Sequence, residues 1–352
     1  MNHEHDVLSR LVDYHDHIAA PLVPLADDLR RGRGRVRRNR GLLAAGAALG
    51  VFSIIAAVSL SDGGRSADDV PQPAHPSGLT TPLVAPQSLL EVSELGFHIG
   101  SAPSLVATGD WAIDRDRQSA GVRVFGGDSN GMELQVEVYY EGRPLKLPST
   151  GTREPVTVNG IPGTYIEITH GWAHGATLAW EYAPDSWAAV RAGWIESELP
   201  SDLRSKMLTA AEAVRPGGEA LRVPVRVATM PESLPSLEAA QDVSVQFWEG
   251  NWQWWLSLDD AIHIHASAET GSACEGDDGS LHPASFTYRG HSGCLVDGER
   301  IGLSLDEAQV FIDFVDADPR PPIKDLKQVL ADLGVASDDP STWFDLRTAL
   351  GG

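Results

Sequence analysis

The longest apolar stretch of the chain is Gly41 to Leu60, GLLAAGAALGVFSIIAAVSL, which holds no charged residue. Twenty residues at a helical rise of about 1.5 Å span about 30 Å, the thickness of a bilayer's hydrocarbon core. The pattern therefore predicts a single transmembrane helix over 41–60. Arg30, Arg31, Arg33, Arg35, Arg37, Arg38 and Arg40 crowd one flank, and Asp62, Asp68 and Asp69 lie near the other. By the positive-inside rule residues 1–40 stay in the cytoplasm and the larger C-terminal part lies outside. The alternative is a cleaved secretory signal, for which Ala56, Ala57 and Ser59 offer a site. Its apolar region is ordinarily about 7–15 residues, and its basic start is short.

Before the arginines, Leu8, Leu11, Val12, His15 and Ile18 share one helical stripe, with Asp6, Asp13 and Asp16 off it. Such a short amphipathic helix has no core of its own. Leu8, Leu11, Val12 and Ile18 are then candidate contacts for a cytoplasmic protein partner; the alternative is an unstructured tail. Residues 61–88 are rich in Ser, Gly, Pro and Asp without periodicity, and read as a disordered linker.

The remainder alternates like sheet. Met132, Leu134, Val136, Val138 and Tyr140 form one face of a strand, and Val243, Val245 and Phe247 one face of another. Two blocks 130 residues apart resemble each other: VTVNGIPGT from Val156 and FTYRGHSGC from Phe286 share Thr157 with Thr287, Gly160 with Gly290 and Gly163 with Gly293. Each leads into apolar or alternating segments and then a helix, at Ser201–Val214 and at Pro321–Leu333, the second stopping at Gly334. The predicted fold class is α+β: the membrane helix, then two similar exterior units, 89–217 and 218–352, each an antiparallel sheet packed with a helix. Chance similarity within one larger sheet domain is the alternative. Asn159-Gly160 is a strong hairpin signal, since glycine supplies positive φ without steric cost. No strand-to-helix step follows these glycines, so they do not indicate phosphate binding.

Charge sharpens this picture. The chain carries −22 at pH 7, but residues 1–40 hold eight Arg and six acidic residues, leaving −24 for the rest. So acidic an exterior repels nucleic acid and anionic polymers, while arginines beside an anionic leaflet gain about 1 kcal/mol each; the bilayer is thus the partner they fit. The two cysteines, Cys274 and Cys294, lie in the part expected to be exported and are predicted to form a disulfide.

Motifs for chemistry are weak. No Walker loop, dinucleotide fingerprint, G-x-S-x-G elbow or H-E-x-x-H occurs, so neither a catalytic residue nor a cofactor is assigned. His263 and His265 would share a strand face, as a metal pair can, but spacing supplies no third ligand. Glu275, Asp277 and Asp278, and Asp313, Asp316 and Asp318, fit no EF-hand spacing and read as solvated surface. Four of the ten tryptophans cluster in FWEGNWQWWLSL: Trp248, Trp252, Trp254 and Trp255. Alternation puts Trp252 and Trp254 on one face and Trp255 on the other. These four are either sheet core or an exposed aromatic platform for a glycan, peptide or lipid.

The short acidic helix, the run LADDLRRGRGRVRRNR and the single apolar segment together resemble the layout of high-GC bacterial membrane proteins linked to extracytoplasmic-function sigma factors. VNGIPGTYIEI followed by LAWEYAPDSWAAVRA is similar to sheet segments of exported lipoprotein-carrier-like or sigma-regulator-like domains. The chain lacks the His and paired Cys of the zinc anti-sigma family, so no functional residue carries over. The resemblance implies a membrane-anchored sensor or regulator. The alternatives are an envelope binding module with a passive anchor and, less supported by residues, an exported enzyme.

Overall fold

The computed structural model describes residues 78–351, apart from 127, 128, 171, 172, 196–198, 249, 250, 260, 269–271, 276–280, 289, 297, 315, 316 and 318. The expected segments 1–40 and 41–60, with Leu8, Leu11, Val12 and Ile18, lie outside the described residues, as does most of the expected linker.

In chain order the strands of the first half are β1 (Phe97–Ile99), β2 (Leu105–Asp114), β3 (Arg117–Gly126), β4 (Ser129–Tyr139), β5 (Thr152–Val158), β6 (Ile161–His170), β7 (Ala173–Ala183) and β8 (Ser186–Ile195). Helix α1 (Leu203–Glu212) and β9 (Val214–Pro216) complete it, and β10 (Arg222–Val223) follows. The second half comprises β11 (Val225–Val227), β12 (Asp242–Trp248), β13 (Asn251–Ser257), β14 (His263–Ser267), β15 (Phe286–Tyr288), β16 (His291–Val296), β17 (Arg300–Ser304) and β18 (Gln309–Asp313). It ends with α2 (Ile323–Asp332), β19 (Leu333–Val335), β20 (Phe344–Asp345) and α3 (Leu346–Ala349).

Fourteen of these strands form one antiparallel sheet in the order β15-β16-β17-β18-β14-β13-β12-β2-β3-β4-β8-β7-β6-β5. This corrects the expected fold class. The described part is mainly strand, and one continuous sheet replaces two separate α+β units. The physical reason is the fate of two edges. Left unpaired, β2 and β12 would expose rows of backbone N–H and C=O groups. They pair instead, Trp111 with Val245, Ile113 with Val243 and Asp114 with Asp242.

The expected single-pass anchor, and with it the cell-membrane location, is also not supported. Among the described residues no helix is long and apolar enough to cross a membrane. Helices α1 and α2 have ten residues each, about half the length that a hydrocarbon core requires. Nor is the whole of 61–88 a free linker: Leu79 is buried, and the Leu83 N–H donates to Tyr182 Oη at 3.1 Å.

What repeats is topology. Read outward from the β2–β12 seam, each half lists its first three large strands in order and its last four in reverse. In each, the closing helix is followed by a short strand that returns to pair with the strand opening the half, β9 with β1 and β19 with β11. The G-x-x-G blocks form the hairpins β5–β6 and β15–β16, both at the outer ends of the sheet. Val156 pairs with Gly163 as Phe286 pairs with Gly293, and Gly160 and Gly290 hold φ of 84° and 90°. The second helix ends earlier than its apolar stripe suggested. Leu333, Gly334 and Val335 leave it to pair with β11, because that strand needs a partner.

One face of the sheet carries the core. Val122, Val136, Val190 and Leu178 from the first half, and Val245, Trp254, Ile264 and Ile312 from the second, join Leu203, Met207, Leu326 and Leu330 of the helices in one apolar cluster. Strand alternation sends every second residue to the opposite face, here called the outer face.

Candidate functional site

The outer face is covered at its two wings and open in the middle. On the first wing the connection from β4 to β5 lies over the sheet. Arg191 Nη2 donates to the Lys146 carbonyl at 3.3 Å, and a side chain at Gly151 would meet the Glu167 carbonyl and Ile166. On the second wing the equivalent connection, from β14 to β15, is fastened covalently. The expected disulfide Cys274–Cys294 is present, with Cα atoms 5.6 Å apart. Beside it the Ala273 N–H donates to Ser304 Oγ at 2.9 Å, and Gly302 leaves room for the Ala273 carbonyl.

Between the wings, direct cross-strand pairing lines up polar residues in rows. One row runs Tyr139, Arg117, Asp114, Asp242, Ser257, His263, Asp313, Arg300, one residue from each of eight adjacent strands, with Arg117 joined to Asp114 by an ion pair across the β2–β3 turn rather than by strand pairing. A second runs Glu137, Ser119, Ala112, Ser244, Trp255, His265, Phe311. A third contains Gln246, Gln253, Ser267 and Gln309. At the seam, the small Ala112 and Ser244 stand next to Trp255 in the second row. Gln246 is exposed, and Gln253, Trp255, Ser257, His263 and His265 are half-buried.

Trp255 and His265 stack at 6.4 Å between centroids and 11° between planes, and His265 and Phe311 at 4.7 Å and 13°. His265 Nε2 lies 3.0 Å from Asp313 Oδ2. Arg300 Nε donates to Asp313 Oδ1 at 2.5 Å. Burial opposes ionisation of Asp313, but His265 and Arg300 outweigh it and hold the carboxyl below its ordinary value. In the first half the corresponding diagonal couple is Glu137 with Arg191, so acid and base have exchanged strands.

A depression of about 330 Å³ at the seam is lined by Asp114, Arg115, Asp116, Gln241, Asp242, Ser257, Asp259 and His263. Burial, and after it the charge of Asp114, push the Asp242 carboxyl up to about 6, while Arg117 pulls it down. Following the pairings from the G-x-x-G hairpins to the seam places Asp110 at the position equivalent to Asp242. Burial raises Asp110 as well, though it accepts hydrogen bonds from the Phe247 N–H at 2.6 Å and from Thr108 at 2.9 Å.

No protein-family model, curated protein or solved structure matches the chain.

The structure divides the tryptophan cluster. Trp252 and Trp254 are fully buried on the core face, where Trp252 Nε1 donates to Asp338 Oδ1 at 3.1 Å and its ring meets Trp343 edge-on at 6.4 Å. Of the three whose side chains are described, Trp255 reaches the outer face; the side chain of Trp248 lies outside the described residues. Burial of Trp252 and Trp254 removes those two from the aromatic platform. His263 and His265 do share a face, but each is engaged otherwise, His263 with Ser257 Oγ at 3.0 Å. Among the described residues no three His, Cys, Asp or Glu side chains are grouped to hold a metal ion. Asp313 serves Arg300 and His265; Asp277, Asp278, Asp316 and Asp318 lie outside the described residues. Sequence reasoning passed over Gln246, Gln253 and Ser257. Their signal was present, as the polar halves of the alternating strings DVSVQFW and NWQWWLS.

Proposed function

We propose that this chain is a non-catalytic binding protein whose ligand lies on the open strip of the outer sheet face, and that the ligand is a glycan. The observation that carries the reading is the row structure of that strip: around the half-buried indole of Trp255 stand Gln246, which is exposed, and Asp242, Ser244, Gln253 and Ser257, which are half-buried, from adjacent strands. Amide and hydroxyl groups both donate and accept, which suits the vicinal hydroxyls of a sugar. An aromatic side chain at a wet surface adds an apolar contact for the sugar's C–H face. The lining is polar, which disfavours a lipid. A peptide adding to the sheet edge is disfavoured too, since β5 carries Pro155 and β15 has three residues.

The test is binding of the full chain to an immobilised panel of neutral and amino-sugar oligosaccharides, repeated with Trp255→Ala and Gln253→Ala. Retained folding with at least tenfold weaker binding in both variants supports the reading. Binding that both variants leave unchanged, or no binding across the panel, removes it.

A further inference from the structure

Asp114 and Asp242 face each other as a direct cross-strand pair at one end of β2–β12, the strand pair through which the two halves of the sheet join. Like charges directly opposite in an antiparallel pair repel. We propose that this seam is a proton-controlled joint: with both carboxylates ionised their repulsion loosens the β2–β12 pairing, and one proton on the pair closes it.

The surroundings decide which carboxylate takes the proton. Asp114 is engaged by Arg117 Nε at 3.2 Å and by the N–H groups of Asp116 and Arg117 at 2.7 and 2.9 Å. Facing Asp242 are Asp114 from β2, Arg115 and Asp116 from the turn after it, and Arg117 from β3. Ser257 faces it from β13, Asp259 from the turn beyond, and His263 from β14. Arg117 is shared with Glu137, so its charge is divided, and Asp242 is the group left to take the proton. The opposite end of the seam is clamped by Asp110, which accepts the Phe247 N–H. Loosening therefore starts at the Asp114–Asp242 end.

The direction with pH follows from the carboxyl of Asp242, which burial first and the opposed Asp114 second raise from near 3.8 to about 6 in the closed seam. The closed state binds the proton more tightly than the open one. Closure is thus fully favoured below about pH 4, weakens as pH rises through about 6, and is weakest above that.

Hydrogen exchange of the seam amides, Trp111–Asp114 and Asp242–Val245, in the full chain tests this without any ligand. After correction for intrinsic exchange, the opening constant should rise about tenfold or more between pH 4.5 and 7.5, one pK unit being tenfold. Asp242→Asn should hold it at the low-pH value throughout. Asp259→Asn removes a charge from the same depression without touching the opposed pair, and should keep the wild-type profile. A pH-independent opening in wild type, or an unaltered profile in Asp242→Asn, overturns the proposal. If Asp242→Asn does not fold, Asp114→Asn takes its place: it should flatten the profile, burial alone keeping part of the slope, and a slope as steep as in wild type overturns the proposal equally. Because sugar binding enters neither arm, failure here leaves the glycan reading standing, and the converse.

Discussion

Arg191 Nε donates to Glu137 Oε2 at 2.7 Å, from β8 to β4, and Glu137 is 1% exposed. The carboxylate is also held by Arg117 and by the Tyr139 hydroxyl at 2.9 Å. A buried charge that loses a partner costs several kcal/mol, whereas two half-exposed guanidinium groups can turn to water. Arg191→Leu should therefore cost about 2–3 kcal/mol of stability, and Glu137→Gln less. Urea unfolding of both variants measures this; an equal or smaller cost at Arg191 refutes the assignment.

The disulfide fastens the β14–β15 connection over Gly302 and Phe311, closing a loop with a sequence separation of 20. Cys274→Ser with Cys294→Ser should lower stability by about 3 kcal/mol, the loop-entropy value. Limited proteolysis should then cut near Ala273 first. An unchanged unfolding midpoint and an uncut connection would contradict this role.

Neighbouring tryptophans should behave oppositely. Trp254→Ala empties a site at 0% exposure in the core and should cost about 3–5 kcal/mol. Trp255→Ala, on the outer face, should cost about 1 kcal/mol, mainly the stacking with His265. Thermal unfolding of the two variants separates them, and similar losses would mean that both faces are equally covered.

Two glycines of one hairpin serve different ends. Gly160 has φ 84° with open space around it, so Gly160→Ala should cost about 1 kcal/mol of backbone strain. At Gly163 a Cβ would lie 2.7 Å from the Ala179 carbonyl, a backbone atom of the paired strand β7. Gly163→Ala should cost more than Gly160→Ala in denaturant unfolding, and the reverse order would show that β7 yields.

The alternation of Asp242–Trp248 and Asn251–Ser257 was sufficient to assign Trp252 and Trp254 to one face and Trp255 to the other. Likewise, the sole two cysteines sufficed for their pairing, and the glycines for the hairpins, because each of these rests on local geometry or on simple exclusion. Which strand lies beside which is a different kind of fact. Nothing local in WAID or DVSV announces that β2 will meet β12, since any unpaired edge presents the same backbone groups. Pairing those edges converted two expected sheets into one. It also set Asp114 against Asp242 and left a bare polar strip between two covered wings. Side-chain periodicity is written into each strand by its own residues. Register, strand order and the company a residue keeps across the seam arise only when segments more than a hundred residues apart bury their edges together.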